Sequence, residues 1–177
     1  RATKHVDLAP YYALDRAGNF KLTAKVHVKQ WKQTLPIAPV KFTIFNGSVL
    51  WHRTFGVPVK EGEPAGQPKQ RRYVLQQAKN LRMMTLYARV DDGPGGKVYK
   101  VFPICPMVTF NEPTAQVDPT GNLHVLCQSG ARTYNYTVLD PDGKTKVRRH
   151  YQIVGSRPRL DFKDSKIVVV GGLKLLR

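Results

Sequence analysis

Alternation of apolar and polar side chains constrains this chain more than any other feature. In Phe20-Lys21-Leu22-Thr23-Ala24-Lys25-Val26-His27-Val28, apolar residues fall on one face and Lys, Thr and His on the other. That pattern marks a half-solvated antiparallel strand. Shorter runs of the same kind occupy 40–45, 49–55, 84–90, 98–104, 123–127, 133–139, 147–153 and 167–170. Between them lie turn-forming clusters: Asp15-Arg-Ala-Gly18-Asn19, Asn46-Gly47, Asp91-Asp-Gly-Pro-Gly-Gly96, Asp118-Pro-Thr-Gly121-Asn122 and Asp140-Pro-Asp-Gly143. Strands and turns at this spacing predict an all-β fold. Residues 72–81 alone carry apolar side chains at near-helical intervals, which leaves a short turn of helix or a strand open there.

Residues 1–110 fit an immunoglobulin-like antiparallel sandwich, which takes about seven short strands in about 100 residues. The polar, Pro-containing step Asn111-Glu112-Pro113 then predicts a boundary, with 111–177 forming a β-hairpin module. Three segments share a strand, an Asp-centred turn and a second strand: Pro10-Tyr-Tyr-Ala-Leu-Asp15, Pro113-Thr-Ala-Gln-Val-Asp118 and, in shortened form, Pro158-Arg-Leu-Asp-Phe-Lys-Asp164. This repetition fits a partial propeller-like array or, more simply, hairpins that reuse one turn chemistry. Residues 59–70 read as a long exposed loop.

Several segments, Met107-Val-Thr-Phe-Asn-Glu-Pro113, Asn122-Leu-His-Val-Leu126, Gly130-Ala-Arg-Thr-Tyr134 and Ser156-Arg-Pro-Arg-Leu160, resemble stretches of exported β-rich bacterial proteins of uncharacterised function. The resemblance spans most of the chain and rests on turns and core strands. It implies a sandwich followed by propeller-like hairpins, and no activity.

Charge limits the partners. Lys and Arg total 29 against 12 Asp and Glu, a formal charge of +17 and a pI near 10.1. Solubility alone needs far less, so an acidic partner is expected: a protein face, nucleic acid, or an anionic polysaccharide or lipid surface. No run of eighteen apolar residues is present to span a membrane as a helix, while peripheral association stays open. The start at Arg1, without Met, fits a processed or truncated chain and an exported protein, periplasmic or extracellular. Cys105 and Cys127 form either a disulfide or two buried thiols in neighbouring strands.

Catalytic and metal signatures are missing from the sequence. His5, His27, His52, His124 and His150 stand apart from one another without cysteine or carboxylate at metal-ligand spacing. His124, between Leu123 and Val125, is the one that points away from the apolar face of its strand. Asp91-Asp92-Gly-Pro-Gly-Gly-Lys97 lacks phosphate-loop spacing, and Asp140-Pro-Asp142-Gly143 lacks the later acids of a calcium loop. No cofactor is implied, and the chain is expected to be non-catalytic.

Basic clusters supply the candidate partner-binding residues: Lys69, Arg71 and Arg72; Lys146, Arg148 and Arg149; Arg157 and Arg159. Alternation is expected to place Lys146, Arg148 and His150 on one solvent-facing stripe. The leading expectation is an accessory or structural subunit that docks on a larger acidic assembly. A polysaccharide-binding module using Trp31, Trp51, Tyr11 and Tyr12, and a nucleic-acid binder, are the alternatives.

Overall fold

The computed structural model describes residues 17–57, 69–80, 83–108 and 110–176, together with positions 6, 8, 11 and 12. Most of the loop expected at 59–70 and most of the first repeat segment lie outside the described residues. Among the described residues the chain is all-β, with thirteen strands and a single three-residue 3-10 turn. It divides into two compact units, Arg1–Asn46 and Gly47–Arg177.

The first unit contains one long hairpin. Strand β1 (Gly18–Val28) pairs antiparallel with β2 (Gln33–Ile44), and the 3-10 turn Lys29–Trp31 forms its tip. Lys32 closes the turn at φ 50°, with its N–H donating to the Lys29 carbonyl. Pro36 and Pro39 are tolerated because β2 is hydrogen-bonded on one side only.

The second unit begins with a four-stranded meander: β3 (Ser48–Gly56), β4 (Gln70–Asn80), β5 (Met83–Asp91) and β6 (Val98–Pro106), in that spatial order. A second meander follows, of β7 (Thr114–Val117), β8 (Leu123–Gln128), β9 (Thr133–Leu139) and β10 (Thr145–Ile153). Strands β11 (Arg159–Lys163) and β12 (Lys166–Val170) make a hairpin of their own, turned by Asp164 and Ser165 at φ 49° and 60°. Positive φ at both central residues matches the right-handed twist of the flanking strands. Strand β13 (Leu173–Leu176) then returns to pair with β10.

Two cores stack these elements in three layers. Tyr73 and Leu75 of β4, Leu86, Ala88 and Val90 of β5, and Ile104 of β6 pack against Leu123, Val125 and Cys127 of β8 and Leu139 of β9. On the opposite face of the five-stranded sheet, Leu126, Tyr134, Tyr136 and Val138 pack against Leu160 and Ile167 of the β11–β12 hairpin. Burying each such aliphatic side chain contributes about 1.5–3 kcal/mol. Every residue of β8 is buried in consequence.

The structure bears on three expectations. The boundary expected at 110/111 runs through a shared core, because β3–β6 bury their inner face against β8 and β9. The division between compact units falls at Asn46–Gly47. Both sheets of the second unit are essentially meanders in chain order, whereas immunoglobulin sandwiches use Greek-key connections. Of the segment 72–81, residues 72–80 belong to a strand, β4, which sits between β3 and β5 and buries Val74 and Ala78 as well as Tyr73 and Leu75.

Candidate functional site

Ion pairing decides which basic residues remain available for a partner. Strand register sets Arg72 directly opposite Asp91. Asp91, fully buried, accepts from Arg72 Nε at 2.8 Å, Arg72 Nη2 at 3.0 Å, Arg89 Nε at 2.6 Å and the Gly93 N–H at 2.8 Å. Burial alone would raise this carboxyl, but the Arg72, Gly93 and Arg89 hydrogen bonds hold it below its ordinary value. Next to it, Arg71 Nη1 donates to Asp92 at 2.7 Å, and its guanidinium lies 3.8 Å from the centre of the Tyr99 ring. Tyr99 in turn donates to Asp92 at 2.9 Å. Arg71 and Arg72 are therefore structural cations rather than part of an exposed docking cluster.

The remaining candidates separate. Lys69 is exposed, with its carbonyl accepting from the Val57 N–H at 2.7 Å. Arg148 Nη2 reaches across to the Ile104 carbonyl at 2.6 Å, and Arg157 donates to Asn111 Oδ1. A register shift between Thr145 and Val147 interrupts the alternation on which the expected Lys146-Arg148-His150 stripe rests. Lys146, Arg148, Arg149, Arg157 and Arg159 are all exposed, although Arg159 lies 3.5 Å from Asp161. Cys105 of β6 and Cys127 of β8 are bonded to each other and tie the two sheets together.

His124 does point away from the β3–β6 layer, but into a closed environment. Its Nε2 lies 3.1 Å from Asp118 Oδ2 and its Nδ1 2.7 Å from Tyr136 Oη. Asp118 also accepts from Thr120, and from the backbone and side chain of Asn122. Burial pushes this carboxyl up, yet the Asn122, His124 and Thr120 hydrogen bonds outweigh it and bring the pKa to about 2. An ionised Asp118 requires His124 Nε2–H to donate, so a neutral ring accepts the Tyr136 proton at Nδ1. Burial raises the Tyr136 phenol to about 12. With His124 and Tyr136 both buried, the chain acts as a clasp between the β7–β8 turn and β9. Tyr73 donates to the Gly121 carbonyl at 2.8 Å and pins the same turn from the other layer.

A second polar cluster joins Asn111, Gln128 and Tyr134. Asn111 Nδ2 donates to Gln128 Oε1 at 2.8 Å and to Tyr134 Oη at 3.1 Å, while Gln128 Nε2 holds the Gly130 carbonyl at 2.9 Å. No cluster of metal-ligating side chains occurs among the described residues. Among them, no helix is long and apolar enough to cross a membrane.

The hairpin carries the surface that the basic-cluster reading passed over. Its register places Phe20, Leu22, Ala24, Val26 and Val28 on one face with Leu35, Ile37, Val40, Phe42 and Ile44. Asn19, Lys21, Lys25 and His27 share the other face with Thr34, Lys41 and Thr43. The two faces are tied separately: Phe20 and Phe42 stack at 5.5 Å on the apolar side, while Thr43 donates to Asn19 Oδ1 at 2.8 Å on the polar side. The sequence signal was available, since no acidic residue occurs between Asp15 and Glu61. No family model, curated protein or solved structure matches the chain.

Proposed function

We propose that this is a non-catalytic, exported accessory subunit that docks on a larger acidic assembly. The observation that carries the reading is segregation of charge. Asp91, Asp92 and Asp118 are turned inward onto Arg71, Arg72, Arg89 and His124, while Lys21, Lys25, Lys41, Lys79, Lys100, Lys146, Arg149 and Lys166 stay exposed. Exposed cations outnumber exposed Glu112, Asp142 and Asp164 among the described residues, which favours an acidic partner. The buried, mutually satisfied Asp118–His124–Tyr136 chain supports a structural role for the one histidine that invited a catalytic reading.

Within this proposal the body is a sandwich platform, immunoglobulin-like in its face-to-face layers rather than in strand order. Polysaccharide binding is disfavoured because Trp51 packs against the main core, which leaves Trp31 without its expected partner platform. Nucleic-acid binding is disfavoured because Tyr134 and Tyr136 are buried and Tyr151, half-buried, packs against the same core, so none stands as an open stacking platform for a base.

Light scattering on the protein extracted from its source, at low and high salt, tests the proposal. A stoichiometric large particle at low salt that loosens at high salt is expected. A 20.0 kDa monomer in both salts would defeat it.

A further inference from the structure

The β1–β2 hairpin combines three properties that an isolated ribbon in water does not favour. Its apolar face is open: Val26, Leu35, Ile37 and Val40 are 45%, 43%, 48% and 55% exposed, and Trp31 at the tip is 64% exposed. A two-stranded hairpin alone is marginally stable at best. Lys21 and Lys41 face each other directly across the ladder, and like charges so placed are destabilising. The irregularity between Leu22 and Ala24, opposite Ala38 and Pro39, moves Val40, Phe42 and Ile44 onto the same face as Leu35 and Ile37. Without that extra residue in β2 these side chains would lie among the lysines. The apolar face is thus kept continuous along the whole ribbon.

Chemistry distinguishes among the partners that could cover this face. A second copy would bring a chain of charge +17 against another of +17. A protein interface favours Arg and is depleted of Lys, yet the hairpin carries Lys21, Lys25, Lys29, Lys32 and Lys41 with no arginine. Nucleic acid would use the lysines and leave the aliphatic face in water. An anionic bilayer interface meets every element: acyl chains for the apolar face, headgroup phosphates between the opposed lysines, and the interfacial level where Trp is enriched.

We propose that the β1–β2 hairpin lies flat in the interface of an anionic lipid bilayer, its apolar face toward the acyl chains and Trp31 anchoring the tip. The ribbon lies on the membrane and does not span it, because its unpaired strand edges need water or headgroups. This goes beyond the docking reading by giving the assembly a membrane location, with the hairpin on lipid while the basic body meets the assembly. It rests on that reading, so a monomer from the source overturns it whatever the vesicles show.

The test uses the full chain and two kinds of vesicle, phosphatidylcholine alone and phosphatidylcholine with phosphatidylglycerol in equal parts. Cosedimentation with the anionic vesicles only is expected, with a blue shift of tryptophan fluorescence that Trp31→Phe abolishes. Replacing Lys21, Lys25 and Lys41 together by Gln, which leaves the apolar face intact, should weaken binding roughly a hundredfold, at about fivefold per lysine. Ile37→Gln with Val40→Gln should also remove binding, and amide exchange across β1 and β2 reports whether the hairpin of either variant remains folded. Equal binding to neutral vesicles, or binding unchanged by Ile37→Gln with Val40→Gln, overturns the proposal. No vesicle binding alongside a stoichiometric protein particle from the source also overturns it, while the subunit reading stands. No vesicle binding and a free monomer overturn both.

Discussion

Replacing Asp91 by Asn tests whether the charge of this fold is organised inward. The substitution keeps the shape but removes the charge that holds Arg72 through two hydrogen bonds and Arg89 through one. Removing one partner of a buried ion pair typically costs about 3–5 kcal/mol, because the other charge is left without compensation. Arg89, with its side chain 34% exposed, can turn into water, whereas Arg72 at 21% is held by the sheet. The lower figure, about 3 kcal/mol, is therefore expected, a shift of roughly 10 °C in Tm for a chain of this size. Thermal and urea unfolding followed by circular dichroism measure it. The sign with pH is fixed by the lowered carboxyl pKa: the native advantage is complete above the ordinary value of 3.8 and fades as pH falls through the depressed native value. Wild type and Asp91→Asn should therefore differ most at neutral pH and converge in acid. A variant within about 0.5 kcal/mol of wild type at pH 7, the range of ordinary surface substitutions, would refute the reasoning.

Asp118 follows the same sign: moving from 3.8 to about 2, it stabilises by about 2 kcal/mol, so Asp118→Asn should flatten the acid limb of the stability curve between those values. His124→Ala should cost about 2–3 kcal/mol by leaving the Tyr136 hydroxyl and the Asp118 carboxylate short of a partner, with urea midpoints as the readout. Thr137 Oγ1 is buried without a hydrogen-bond partner among the described residues, so Thr137→Val should raise stability by about 1 kcal/mol; a loss would show that the hydroxyl is satisfied in solution. Reducing the Cys105–Cys127 bond, which spans 22 residues, should cost about 3 kcal/mol on loop entropy, read as a lower urea midpoint with reductant.

Fold class was legible because β1 and β10 keep their charged and polar side chains exposed beside half-buried apolar ones. Two central strands were harder to read. β8 is covered on both sides, so His124 and Gln128 sit in a buried strand beside Leu126. β4 buries neighbours of both parities, which gives Tyr73, Val74 and Leu75 the look of a helical run. β13 is four residues after Gly171-Gly172, too short to show a period. The basic clusters misled because linear proximity says nothing about pairing: Arg72 meets Asp91 only through the β4–β5 register. That register was available in principle, since Asn80 pairs with Met83 and only two residues connect them. The amphipathic hairpin was half visible, as the alternation of β1 was plain but the Pro39 irregularity that aligns β2 with it was not.

Hydrogen–deuterium exchange on the full chain, with and without anionic vesicles, tests most directly the claim that the hairpin is the docking element. In the unbound protein the amides of β1 and β2 should exchange far faster than those of β8 and β9, which belong to the doubly covered core. On binding, protection should rise across Gly18–Ile44 and leave β8 and β9 unchanged. Protection that appears instead on the β3–β6 layer or on β10, with the hairpin unaltered, would contradict the account.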